Sequence, residues 1–236
     1  MTWLDDIAAA RHELDRSSTA ARVADLLRDR ITDGALVPGA RLPEEDLCRA
    51  AKVSRNTMRE AFRLLVQERL LVHEFNRGVF VRRVGADGLS DLYRVRRILE
   101  SEGVRCAHAA GPDALDRVRA AVEDGEAAAA DGRWPDVGTA DIRFHQALAA
   151  LVGSPRVDEM IRHLMAEMRL VFHEMGSPRE FHEPYLARNR RMYDLLAAGD
   201  HEAAERELRS YLDDAEAQLM RAYLEKERPD VTVRSS

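Results

Sequence analysis

The chain has 236 residues, 45% hydrophobic and 33% charged, enough for one large domain or two modest ones. That composition fits a globular protein and excludes a disordered one. No apolar run approaches the ~20 residues needed to span a bilayer, and the acidic start "MTWLDD" lacks the features of a signal peptide.

Cys48 and Cys106 lie far apart and match no zinc spacing. They read as small core residues in a reducing compartment, so a cytoplasmic location is expected. The net charge of −6 is unevenly divided: residues 19–83 carry 13 basic and 9 acidic side chains, the remainder 23 and 33. A basic module joined to an acidic one implies that only the first meets a polyanion.

Residues 1–18 read as a polar N-terminal extension, with a short helix from Leu4 to Leu14. Ser18 or Thr19 can cap the next helix, where Val23, Leu26, Leu27 and Ile31 recur with a helical period. Gly34, Pro38 and Gly39 in "DGALVPG" break it. A short helix follows Pro43, with Glu44, Glu45 and Asp46 in the first turn, where negative charge suits the dipole. A turn through Lys52–Ser54 leads into a third helix over Arg55–Glu68. "LLVHEF", the turn "NRG" and "VFV" then predict the two strands of a hairpin, closing a unit at 19–83.

From Asp87 onward the period is helical. Helices are predicted at 87–109, 113–131, 136–151, 155–175, 184–198 and 201–226. Gly111-Pro112, Gly153-Ser154-Pro155, Ser177-Pro178 and Gly199-Asp200 punctuate them. Residues 227–236 read as a frayed tail. The fold class is therefore mainly α, a winged three-helix unit followed by an all-helical bundle over 87–226.

On the third helix Met58, Ala61, Phe62 and Leu65 form one apolar face. Arg55, Arg59 and Arg63 recur at i, i+4 and i+8 on another, beside Asn56. An isolated arginine stripe is ordinarily a solvated face. This one follows a helix across a tight turn and precedes a hairpin, the order of a winged helix-turn-helix. In a major groove Arg can bridge the acceptors of guanine and Asn can pair with adenine. Thr can contact phosphate or a thymine methyl. Double-stranded DNA is the expected partner.

The run from Leu27 to Val81 resembles the winged helix of the GntR family, nearly without gaps. Its shared marks are Ile31, Gly34, Pro38-Gly39, Leu42-Pro43, Leu47, Val53-Ser54-Arg55, Arg59-Glu60-Ala61, Leu65, Gly78 and Val81. The resemblance implies a DNA-binding transcriptional regulator. It assigns DNA contacts to Ser54, Arg55, Asn56, Thr57 and Arg59, with Arg77 and Gly78 at the wing tip. Arg69 departs from the pattern, standing where the family usually has glycine and stiffening the approach to the wing.

"DLYRVRRILESEGVRCAHAA", "DIRFH" and "LLAAGDHEAAERELRSYL" resemble the FCD effector domain, the helical partner in the FadR-like branch of GntR regulators. That domain implies homodimerisation and a small-molecule effector, often a carboxylate. Many of its members hold a divalent metal with an Asp and His one turn apart, plus two histidines from later helices.

Asp141 and His145 stand at i, i+4, on a stripe continuing through Leu148 and Val152; an ordinary hydrogen bond between them is the plain reading. The family's other two ligand positions fall on Asn189 and Tyr211. Asn is a poor ligand for zinc-like metals and a neutral tyrosine a worse one. Two strong donors are too few for a tight site. The expected metal site, Asp141 and His145, is therefore vestigial, with Asn189 and Tyr211 as polar lining.

Arg96 lies on the stripe Leu92, Leu99 and Gly103. It either pairs with Glu100 at i+4 or clamps a ligand carboxylate through its planar fork; the resemblance favours the clamp. Effector contacts are thus expected at Arg96, Asp141, His145, Asn189 and Tyr211. His163, His173 and His182 fit no ligand pattern and are expected at surface or border positions. Trp134 reads as a packing residue at a helix start.

The expected function is an effector-controlled, sequence-specific transcriptional regulator with no catalytic residues. Two alternatives stand beside it: a constitutive dimeric DNA-binding protein, and a metal-dependent enzyme using Asp141 and His145.

Overall fold

The computed structural model describes residues 19–227; the helix expected at Leu4–Leu14 and the tail from residue 228 lie outside the described residues. The chain divides into two compact units, with the boundary between Arg83 and Val84.

In the first unit α1 (residues 19–32) is followed by β1 (Arg41–Leu42), α2 (Glu44–Ala51), α3 (Arg55–Gln67), β2 (Leu71–Glu74) and β3 (Gly78–Val81). The sheet is antiparallel in the order β1-β3-β2, with Leu42 opposite Val79 and Leu71 opposite Val81. Those four side chains are buried, as are Met58, Ala61, Phe62 and Leu65 of α3. Strand β1 escapes sequence reading because two residues carry no alternation.

Local chemistry sets the turns. Lys52 ends α2 in the left-handed region at φ 54°. Ser54 caps α3, its Oγ accepting the Thr57 N–H at 3.1 Å, a cap typically worth ~1 kcal/mol. Just after α3 Arg69 takes φ 60°, the conformation for which the family glycine is suited. A non-glycine residue there carries a penalty of roughly 1 kcal/mol.

One expected core position is wrong. Leu26 is 51% exposed, and the α1 side chains buried with Val23, Leu27 and Ile31 are Ala20, Ala24 and the charged Arg28, 3% exposed. Its Nε and Nη2 donate to Glu68 at 2.7 and 2.6 Å, and Nη1 donates to Asp25. Glu68 is the C-cap residue of α3, so a charged bond ties α1 to the end of that helix.

The second unit is helical throughout its described residues. It comprises α4 (Ala86–Cys106) with a 3-10 turn at Ala107–Ala109, α5 (Pro112–Ala130), α6 (Trp134–Ala150), α7 (Pro155–Phe172), α8 (Pro178–Ala197) and α9 (His201–Glu227). Helix α8 starts six residues before the predicted 184. Ser177 caps it, Pro178 occupies its first turn, and Pro184 is accommodated inside it. Burial of Phe181, Tyr185 and Met192 holds the helix together across the missing N–H.

Helices α4 and α6 meet at Gly103, where a Cβ would stand 2.0 Å from the Leu148 carbonyl oxygen. Only glycine permits that approach. Cys48 and Cys106 are free and half-buried, not the core residues expected. Helix α2 has no buried residue at all, and Cys106 ends α4. Among the described residues no helix is long and apolar enough to cross a membrane.

Arg28→Ala should remove the two charged bonds to the partly buried Glu68 and lower stability by about 3 kcal/mol in urea unfolding. Arg28→Met combined with Glu68→Leu should recover most of that loss.

Candidate nucleic-acid interface and buried polar site

The exposed side of α3 carries Arg55, Asn56, Arg59 and Arg63. The hydroxyls of Ser54 and Thr57 lie 2.8 Å apart, so both help to start the helix. Arg59 reaches across the turn to α2, its Nε donating to Glu44 at 3.0 and 3.1 Å. Arg55 forms a looser ion pair with Glu45 at 3.6 Å. Sequence reasoning treated Glu44 and Glu45 only as dipole partners of α2 and missed these cross-helix pairs.

At the hairpin Arg77 pairs with Glu74 and sits 5.4 Å over the Phe80 ring. Gly78 has φ 109°, which few side chains tolerate. Phe75, 85% exposed between β2 and β3, was not a sequence candidate. A large apolar residue beside the turn "NRG" was the available signal.

In the second unit the five expected effector residues come together inside the bundle. Arg96 and Glu100 of α4 pair at 2.8 Å through the Arg96 Nε. The other Glu100 oxygen lies 2.7 Å from His145 Nδ1, and His145 Nε2 lies 3.2 Å from the Tyr211 hydroxyl. That hydroxyl donates to Asp141 at 2.9 Å, and the Asn189 amide donates to the same Asp141 oxygen at 3.1 Å. Asp141 and His145 themselves are 3.7 Å apart, so their main partners are not each other.

All six side chains are buried, Arg96 and His145 at 1% exposure and Glu100 at 0%. Burial pushes the Glu100 carboxyl up, but Arg96 and His145 outweigh it and leave Glu100 below its ordinary range. Burial likewise opposes ionisation of Asp141; His145, His182 and the Asn189 hydrogen bond reverse the sign. The Tyr211 hydroxyl is held well above its usual value by burial and then by Asp141, so it remains a donor.

Both readings of Arg96 meet here. The Glu100 pair exists, yet the Arg96 Nη2 and the nearby Tyr93 hydroxyl are buried with no hydrogen-bond partner. The Arg96 guanidinium lies 4.8 Å over the Tyr93 ring. At the far end, Asn189 Oδ1 and His182 Nδ1 are also buried and unpartnered. His182 is 4% exposed, contrary to its expected surface or border position, because Phe172 and Phe181 enclose its ring. His163 is half-buried and His173 exposed. Half-buried Trp134 stacks under the Arg179 guanidinium at 5.3 Å.

The donor chemistry does not fit a tightly held metal. The Asp141 oxygen facing the cluster already accepts from Tyr211 and Asn189, whose groups are hydrogen-bond donors at that point. Among the described residues no group of three or more His, Cys, Asp or Glu side chains is arranged around an ion site. Beside Asp141, Asn189 and His182 lies a cavity of about 10 Å³, room for about one water.

Two family models match the chain: bacterial regulatory proteins of the gntR family over residues 19–81, and the FCD domain over 91–214, more than half the chain. The galactonate operon transcriptional repressor of Escherichia coli K12 is 28% identical over 206 residues, covering 78% of this chain and 89% of the repressor. The Nta operon transcriptional regulator of Aminobacter aminovorans is 43% identical over 70 residues, which span 30% of this chain and 33% of that protein. A GntR transcriptional regulator of Rhodococcus sp. RHA1 superposes with TM-score 0.80 at 50% identity, covering 87% of this chain and 99% of its own. The two family models together account for both units of the chain, the gntR model for the first and the FCD model for the second. The chain belongs to the GntR family of bacterial transcriptional regulators, in the FadR-like branch that carries an FCD domain.

Proposed function

We propose that the protein is a homodimeric, cytoplasmic regulator whose affinity for a near-palindromic operator changes when a small carboxylate enters the helical unit. In this reading residues 19–83 bind DNA through Ser54, Arg55, Asn56, Thr57, Arg59, Arg77 and Gly78. Residues 87–226 bind the effector and dimerise. A single recognition helix spans few base pairs, which favours two copies on one symmetric site.

The observation that carries the effector reading is the unmet Arg96 Nη2 beside the unmet Tyr93 hydroxyl. Leaving a buried guanidinium donor without an acceptor is unfavourable, and a ligand carboxylate would satisfy it in the planar geometry that arginine offers. Asn189 Oδ1 and His182 Nδ1 offer complementary polar atoms at the other end. A hydroxy acid meets both requirements, in keeping with similarity to a galactonate operon repressor.

The cavity size supports the second reading, a constitutive DNA-binding dimer. An opening of about 10 Å³ admits no organic acid until α5, α6 and α8 part. An enzymatic role for Asp141 and His145 has less support, because Tyr211, Asn189 and Glu100 already engage them. We read these two residues as the remnant of a metal site.

A thermal-shift screen of small hydroxy acids with the full-length protein separates the first two readings. A selective ligand at 100 times its Kd should stabilise the protein by about 2.7 kcal/mol by mass action. Arg96→Lys should abolish most of that shift although charge is retained; no shift with any acid supports the constitutive reading. On the DNA side, Arg55→Ala and Arg59→Ala should each cost ~1–3 kcal/mol of operator binding and relax base preference. Unchanged selectivity in fluorescence anisotropy would refute the assignment of α3. Replacing Asn189 and Tyr211 together by histidine should raise zinc or nickel affinity by orders of magnitude in calorimetric titration, more so at higher pH where imidazole is neutral.

A further inference from the structure

Helix α2 opens with Glu44, Glu45 and Asp46, and α3 presents Arg55 and Arg59 to the same surroundings. Carboxylates there oppose the approach of a polyanion. Favourable interaction with the α2 dipole accounts for acidic residues in that turn in general. It does not account for the geometry of Glu44, which accepts from Arg59 Nε through both oxygens at 3.0 and 3.1 Å, across 15 residues of chain. The Glu44 side chain is 30% exposed and Arg59 65%, so the acid is the more enclosed partner and the guanidinium projects outward from it.

We propose that Glu44 is a positioning residue that sets base specificity by holding Arg59 in the orientation that reads guanine. With Nε engaged by Glu44, the two Nη groups remain to face the O6 and N7 acceptors of a guanine edge. A free arginine on a helix surface samples many rotamers, each able to reach a different phosphate or base. Anchoring Nε removes most of them before DNA arrives, so less order has to be imposed on binding. Arg63 differs, since its partner Glu60 is on its own helix one turn away. Arg55 differs too, with Glu45 at 3.6 Å.

The anchor has an electrostatic consequence of opposite sign. A carboxylate near the phosphates weakens binding to every sequence, because it opposes the counterion release that drives non-specific association. Glu44 therefore lowers general affinity while raising discrimination. A residue acting only as a repulsive charge would do the first without the second.

The proposal rests on Arg59 being a base reader, so the experiment tests that separately. Operator fragments are selected from a random 30-base-pair pool with the full-length wild-type protein, and Kd is measured for the selected site, single-guanine substitutions and unselected DNA. Glu44→Ala should bind unselected DNA several-fold more tightly and lose about tenfold discrimination at one guanine per half-site. Glu44→Gln, isosteric and still an acceptor, should lose less discrimination. Arg59→Ala should lose discrimination at the same guanine, and adding Glu44→Ala to it should cause no further loss. Uniformly tighter binding by Glu44→Ala with discrimination intact at every position would overturn the positioning role while leaving Arg59 as reader. Full discrimination in Arg59→Ala would overturn both.

Discussion

Arg96 and Glu100 lie one turn apart on α4, both sealed from water, and a chain of buried hydrogen bonds through α6, α9 and α8 starts from that pair. Removing two charges from water is expensive unless each gains several hydrogen bonds in good geometry. Glu100 gains them from Arg96 and His145, His145 passes the chain to Tyr211, and Tyr211 passes it to Asp141, which also accepts from Asn189. Four helices, α4, α6, α8 and α9, contribute to one connected network. Gly103 makes it possible by letting the α6 backbone approach α4.

A network whose ends are unmet is a different object from one that is closed. Arg96 Nη2 and Tyr93 terminate one end, Asn189 Oδ1 and His182 Nδ1 the other. In the proposed reading, a molecule that supplies the missing partners gains affinity from groups already held in place. In that same reading the molecule must also separate helices, because the cavity is only about 10 Å³. Binding energy used in that way is what an effector domain needs in order to respond in shape and not merely in occupancy.

In the DNA-binding unit the same principle operates at lower burial. Arg28 and Glu68 join α1 to the end of α3, and Glu44 joins the start of α2 to the middle of α3. Helix α3 is therefore tied at two places by charged bonds to the helices that precede it. The left-handed Arg69 then turns the chain directly into β2.

Much of this architecture was legible beforehand. Period 3.6 with Gly and Pro stops marks the helices of the second unit; the turn before Arg55 and the "NRG" hairpin mark the winged unit. Inward placement of Arg96, Asp141 and His145 followed from their apolar neighbours at helical spacing, and that of Asn189 and Tyr211 from the family resemblance. The start of α8 did not, because a proline normally ends a helix and only packing of Phe181 and Tyr185 overrides that preference at Pro184. Partner choice was hidden as well. Periodicity specifies which face a residue occupies and says nothing of what stands opposite, so Arg28 with Glu68, Arg59 with Glu44 and Glu100 with His145 emerged only when distant segments were brought within 3 Å or so of one another. Sequence determined the elements and their inward faces; tertiary structure decided which charges meet, because pairing depends on the crossing of helices and not on spacing along any one of them.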